Sequence, residues 1–224
     1  MNALNRLVWI FTSPQRVFDD IREGRVNWVQ PWLAASVIYA IITWISMPIQ
    51  RAVLQVNSEM TSEQIDQQME LMEKFGFVWV LLAPVGMFVI TFIIAGISYV
   101  VVAMASRAAN FKKYLTLSFY TGIVGMMGQL ITCIIVRLRG LDQIESPADA
   151  RLGLSLRALA PDNDAVRGIL GSFEFFAIWS LVLVVMGLMR IFGMTRGQAI
   201  ATAVVLWIFY AIATVVGELT GAMG

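Results

Sequence analysis

Five long stretches without a charged residue, one of them broken once, dominate this 224-residue chain. Between Arg25 and Arg51 lie 25 uncharged residues, and between Lys74 and Arg107 lie 32. Lys113 and Arg137 enclose 23, and Arg196 and Glu218 enclose 21. Arg167 and Arg190 enclose 22, with Glu174 the one interruption. About 20 apolar residues of helix cross a hydrocarbon core of about 30 Å. Spans are therefore predicted at about 29–49, 78–104, 114–136, 169–190 and 198–217. The second run exceeds one perpendicular crossing, so it tilts or extends past the bilayer on one side. Pro84 is placed to kink it. None of the runs alternates apolar and polar residues as a membrane-spanning strand would. The predicted fold class is all-α: an integral membrane bundle of five transmembrane helices forming one domain.

Composition narrows the function classes. The chain is 58% hydrophobic and 14% charged, against about 45–50% and about 25% in a soluble domain. Its formal net charge of +1 makes no field that would draw nucleic acid. It has no histidine and one cysteine, Cys133, inside an apolar run. Ser–His and Cys–His nucleophile systems and the common zinc sites are thereby excluded, as is an intrachain disulfide. The 13 methionines read as adaptable packing. Neither a phosphate-binding GxxxxGK[ST] loop nor a strand–GxGxxG–helix context is present. No cofactor, metal or enzymatic activity is expected. Residues 1–25 lack the apolar core and small-residue cleavage site of a secretory signal.

Lysine and arginine set the orientation. Arg6, Arg16, Arg22, Arg25, Arg107, Lys112, Lys113, Arg190 and Arg196 fall on one side. The other side holds Arg51, Lys74, Arg137, Arg139, Arg151, Arg157 and Arg167 in longer, acidic loops. The N-terminus is predicted to be cytoplasmic and the C-terminus outside.

Segments between the spans look helical. Ser13 suits an N-cap, Pro14 the first helical position and Gly24 the residue past the end. Val17, Phe18 and Ile21 form the apolar face of that helix. Ahead of it, Leu4, Leu7, Val8 and Phe11 repeat at helical spacing. The expectation is that residues 1–27 lie on the membrane, with Phe11, Val17, Phe18 and Ile21 at the acyl boundary and Trp28 in an interfacial belt. Thr61 and Gln64 fit a capping box for an outer helix with an Ile65, Met69, Met72 stripe and a stop at Gly76. Its Glu63, Asp66, Glu70 and Glu73 read as a solvated face. A second outer helix is predicted from Ser146–Pro147, with Leu152, Leu156 and Leu159 as its face and a turn at 161–164.

Few residues carry candidate chemistry. Glu174 is a carboxylate inside a span, which marks a functional site by default. It reads either as an interfacial acid near a helix N-terminus or as a group coupled to an ion, a proton or a partner. Gly122, Gly125 and Gly128, at steps of three, thin one side of the third span. With Thr121 and Gln129 they suit close helix packing, within the chain or between two copies.

The stretch "LVWIFTSPQRVFDDIREGRVNWVQPW", through Ile10, Phe11, Pro14, Phe18, Ile21, Trp28 and Pro31, resembles the opening of bacterial YIP-domain proteins, named after Ypt/Rab-interacting proteins. "SFEFFAIWSLVLVVMGL", with Glu174, Phe176 and Trp179, followed by "GMTRGQA", is similar to the family's late span and turn. The resemblance covers about residues 10–215. It implies five spans in a bacterial cytoplasmic (inner) membrane, an inside N-terminus and an outside C-terminus. Eukaryotic members associate with Rab-type GTPases through long N-terminal tails, which residues 1–27 do not match. Some bacterial relatives resemble accessory components beside ATP-driven export systems. The expected function is a non-enzymatic protein that binds the lipid bilayer and partner membrane proteins, with Glu174, Trp179 and Gln129 as contact residues. The alternatives are a small transporter or channel using Glu174, and a membrane-shaping protein using the N-terminal helices.

Overall fold

A computed structural model describes residues 3–56, 60–106, 108–145, 149–151, 156 and 163–219. Among these are the α-helices α1 (Ala3–Thr12), α2 (Pro14–Arg22), α3 (Val29–Gln55), α4 (Ser62–Ala105), α5 (Phe111–Arg139), α6 (Asp164–Gly171), α7 (Phe175–Phe192) and α8 (Arg196–Leu219). Helices α3, α4, α5, α7 and α8 are long and apolar enough to cross a membrane. The chain is thus an all-α helical bundle with five candidate spans, as the charge-free runs require. α1, α2, the start of α5 and the end of α7 meet at one end of the bundle, here called proximal. The opposite end is distal.

Helix α5 is the hub. The consecutive residues Tyr114, Leu115, Thr116 and Leu117 are all buried, so every side of the helix is covered at that turn, and it packs against α3, α4 and α7. A second, smaller core of Ile42, Ile49, Cys133, Val136 and Ile144 joins the distal halves of α3 and α5. Helix α4 is peripheral. Met87, Ala95 and Val102 form its buried stripe, while Phe77, Leu82, Ile90 and Ile97 are exposed.

The second run does extend past one crossing, by fusing with the segment before it. Its 44 residues make a helix of about 66 Å. The capping box starts it: the Gln64 amide donates to Thr61 Oγ1 at 3.3 Å, and the Thr61 amide donates to Gln64 Oε1 at 2.9 Å. Ile65, Met69 and Met72 are the less exposed positions of that first part. Gly76, expected to stop the helix, lies inside it. A Cβ there would sit 2.9 Å from Met47 Cε, so this glycine admits a side chain of α3 instead of ending a helix. Pro84 is likewise held within α4.

The fourth run breaks into two helices, correcting the expected 169–190 span. Asn163 caps α6 by accepting from the Val166 amide at 3.0 Å. Ser172 closes it, its Oγ donating to the Ile169 carbonyl at 2.7 Å. Glu174 is then extended at φ −96°, ψ 141°, and α7 starts after it. α6 lies on the distal part of α8. A Cβ on Gly168 would be 2.8 Å from Val215 Cα, and Thr214 Oγ1 donates to the Gly168 carbonyl at 3.2 Å. Most of the expected helix from Ser146 lies outside the described residues. Leu156, which is described, donates its amide to the Phe173 carbonyl at 3.3 Å.

The N-terminal helices do not behave as expected. Val17 and Phe18 are 0% exposed and Ile21 is 1% exposed, inside the protein core and not at an acyl boundary. The proximal ends of α5 and α7 supply the apolar surface that covers them. Phe11 is half-buried against the same core. In α1 the inward residues are Arg6 and Ile10, whereas Leu4 and Val8 from the expected stripe are exposed. Pro14 opens α2 as predicted, but Ser13 makes no side-chain cap. Gly24 has φ +73°, the left-handed conformation that glycine adopts without a Cβ clash.

Candidate functional site

Two groups of polar residues stand out from the apolar bundle. The first is the seam between α5 and α7, which run antiparallel. Near its proximal end, Gly187 leaves room for Leu117, whose Cδ1 would be 2.5 Å from a Cβ there. Further along, Ser180 Oγ donates to the Thr121 carbonyl at 3.0 Å and lies 3.6 Å from where a Gly125 Cβ would be. Towards the distal end, the carboxyl group of Glu174 occupies the space that a side chain on Gly128 would need. A Cβ on Gly128 would overlap Glu174 Oε1 and lie 2.9 Å from Cδ and 3.0 Å from Phe176 Cβ.

Glu174 Oε1 is buried and has no hydrogen-bond partner. The residue stands at the N-cap of α7, and its carbonyl accepts from Ile178 at 3.0 Å, but its side chain closes no cap bond. A carboxyl group so placed has an unmet acceptor towards α5. It can take a proton, or a donor brought by another molecule. Ser180, on the same helix, already directs its hydroxyl to Thr121, so the seam holds no activated nucleophile.

The structure brings together Glu174, Gly128, Gly125 and Ser180. It does not bring Gln129 to them. Gln129 is exposed, one residue and about 100° around the helix from Gly128. Gly122 has nothing within 4 Å of its missing side chain, so it takes no part in the packing that spacing alone assigned it. Trp179 is half-buried against the main core. Trp28 and Trp32 turn their rings onto Phe88, at 5.5 and 5.4 Å between centroids. They therefore join α3 to α4, and Trp28 is not simply an interfacial anchor.

The second group is a charge network at the proximal end, which sequence spacing did not reveal. Asp20 is buried, and its Oδ2 accepts from Arg6 Nε at 2.8 Å. The two side chains are 5% and 3% exposed. Arg25 Nε reaches Asp20 Oδ1 at 3.0 Å, and Arg6 also donates to Gln30 Oε1 at 2.9 Å. The neighbouring Asp19 accepts two bonds from Arg190, at 2.7 and 2.9 Å. That hydrogen bonding, which outweighs partial burial, holds the Asp19 carboxyl below its ordinary range, helped by the charges of Arg190, Arg22 and Arg25. Lys113 Nζ donates to the Arg22 carbonyl at 2.6 Å. Together these bonds strap α1 and α2 to α5 and α7. The available signal was the pair of adjacent aspartates in a helix whose apolar face includes Ile21, since a carboxylate beside that face is incompatible with acyl chains.

The profile of the Yip1 domain matches residues 9–217. The chain is similar to "Membrane protein YknW" of Bacillus subtilis (strain 168), with 24% identity over 203 residues, or 90% of this chain and 84% of that protein. No solved structure matches.

Proposed function

This chain belongs to the Yip1 domain family, and from that premise we propose a non-enzymatic integral membrane protein that binds partner membrane proteins, as an accessory subunit of an ATP-driven export complex. The observation that supports it most is α4. This helix is anchored by one narrow stripe and leaves Phe77, Leu82, Ile90, Ile97 and Val100 exposed. Its first part carries Glu63, Asp66, Glu70 and Glu73 beyond the length needed for one crossing. One element thus offers an apolar wall within the bilayer and an acidic arm outside it. The neighbouring spans need only part of that surface.

A photo-crosslinking amino acid at Leu82 or Ile90, at native expression, tests this reading. Position-dependent adducts with a defined membrane protein, absent from the buried Met87 position, are expected. Recovery of the chain alone from every exposed position would count against it. The orientation proposed with it places the proximal end in the cytoplasm of a bacterial cell, where Arg16, Arg22, Lys112 and Arg196 face the anionic leaflet. Alkaline phosphatase fused after residue 224 is then active.

A second reading is favoured by the buried, unpartnered Oε1 of Glu174: a small transporter in which this carboxyl group carries the coupled proton or cation. Flux into liposomes should then fall in Glu174→Gln, and an unaltered flux removes the residue from that role. The seam between α5 and α7 is closed by Gly128 against Glu174, which favours the partner-binding reading over an open channel. The membrane-shaping alternative has less support, because Val17, Phe18 and Ile21 of α2 lie in the core and only Leu4 and Val8 of α1 remain exposed.

A further inference from the structure

We propose that the cleft at the distal ends of α3 and α5 binds the phosphate headgroup of an anionic phospholipid. The cleft has a volume of about 390 Å³ and is lined by Trp44, Ile45, Met47, Pro48 and Arg51 of α3 and Arg137 of α5. That size lies within the range of about 300–1,000 Å³ typical of small-ligand sites. Two arginines define its polar end. Arg6, Arg22, Arg25, Lys74 and Arg190 each have a carboxylate partner. Arg51 and Arg137 have none among the described residues, nor do Arg16, Lys112, Lys113, Arg139 and Arg196, but only Arg51 among these has a side-chain nitrogen, Nε, that is buried without any acceptor.

An arginine donor removed from water and left unpaired is costly, and more so near hydrocarbon. A phosphate relieves that cost. The guanidinium fork matches two phosphate oxygens, and two arginines lining one cleft provide two forks for one anion. The rest of the lining says what is attached to the phosphate. Trp44, Pro48 and Arg51 stand at i, i+4 and i+7 on one face of α3. Trp44 therefore lies about 10 Å further into the span than Arg51 and is 61% exposed. Pro48 has no amide hydrogen, which leaves the Trp44 carbonyl without its usual intrahelical donor. The cleft is therefore cationic at the helix ends and apolar below. This polarity fits an anionic diacyl lipid, with phosphate on the arginines and acyl chains over Trp44 and Ile45. A free phosphate ion leaves the apolar half unused.

Native mass spectrometry of the delipidated full chain in a neutral detergent tests the assignment, with dioleoylphosphatidylglycerol as probe. Wild type should retain this lipid and discriminate against dioleoylglycerol, which has no phosphate. Arg51→Gln/Arg137→Gln should weaken retention by roughly tenfold or more. Arg137→Gln alone, at an exposed and unbonded side chain that folding does not need, should weaken it several-fold, and it decides the matter if the double variant does not fold. Equal retention by wild type and Arg137→Gln, or equal retention of the two lipids, overturns the proposal. Displacement of the phospholipid by millimolar inorganic phosphate would overturn its lipid part, showing that the ion alone is the ligand.

Discussion

Replacing Gly128 by alanine tests whether Glu174 is part of the helix seam or merely near it. The new methyl group would overlap Glu174 Oε1 and approach Cδ at 2.9 Å and Phe176 Cβ at 3.0 Å. The carboxyl end can rotate away. Phe176 Cβ is tethered to the first turn of α7 and can yield only if that turn moves. Inserting one methyl group into packed surroundings costs about 1–3 kcal/mol. Most of that cost belongs to the Glu174 contacts, so truncating the glutamate should recover it. In a Glu174→Ala background the same Gly128→Ala change should cost about 1 kcal/mol less, a coupling within the range of about 0.5–3 kcal/mol found for touching residues. Gly122→Ala is the internal control. It lies on the same helix with nothing within 4 Å and should be neutral or slightly stabilising, because alanine favours helix over glycine by up to about 1 kcal/mol. Unfolding in mixed micelles of dodecyl maltoside and increasing dodecyl sulfate reads all four forms of the cycle and the control. Equal costs of Gly128→Ala with and without Glu174 would refute the reasoning, as would a Gly122→Ala cost matching that of Gly128→Ala.

Asp20→Asn leaves the buried Arg6 guanidinium with neutral acceptors and no counter-charge and should cost about 3–5 kcal/mol, read in the same micelle titration, while Arg6→Met/Asp20→Leu should restore most of it; a double variant as unstable as the single would count against a buried pair. The Asp19 carboxyl is held below its ordinary value of about 3.9, so its bond to Arg190 contributes fully above that pH and is lost as pH falls through the lowered value. Hydrogen exchange of α2 should thus be constant from pH 7 to 5 after correction for intrinsic rates and rise only below about 4, with Arg190→Gln abolishing the dependence; a rise beginning above pH 5 would refute it. Gly168→Ala places a methyl group 2.8 Å from the Val215 backbone, so α6 should lift from α8 at about 1–3 kcal/mol, seen as faster exchange across residues 164–171.

The charge-free runs made the five spans legible, because a backbone in lipid must satisfy its own hydrogen bonds. Their ends were less legible. Gly76 carries a stop signal in sequence, yet Met47 of α3 fills its place and the helix continues. Glu174 interrupts the fourth run only once, but α6 ends ahead of it because Ser172 turns back on the Ile169 carbonyl. The largest misreading concerns Val17, Phe18 and Ile21. An apolar helix face looks the same in sequence whether lipid or protein covers it. Here Asp19 and Asp20 decide, through Arg190 and Arg6, and neither pairing has a local sequence signature. Of the glycine steps at 122, 125 and 128, the last two lie against α7 and the first faces open space. Only the position of α7 shows which two, and that Gln129 turns away.

The strap at the proximal end also fixes an order of events during synthesis. Asp19 and its partner Arg190 are separated by 171 positions, and Lys113 lies 91 positions beyond Arg22. At about 5–20 residues per second, the N-terminal helices wait roughly 10–30 s on the ribosome before Arg190 exists. During that interval Val17, Phe18 and Ile21 lack their final cover, and the membrane surface or a chaperone must shelter them. The Arg6–Asp20 pair is different, since both partners are made within the first 20 residues and can neutralise each other at once. The segment thus begins as a self-paired hairpin of helices and becomes the seal of the bundle last, after α7 has been threaded into the membrane.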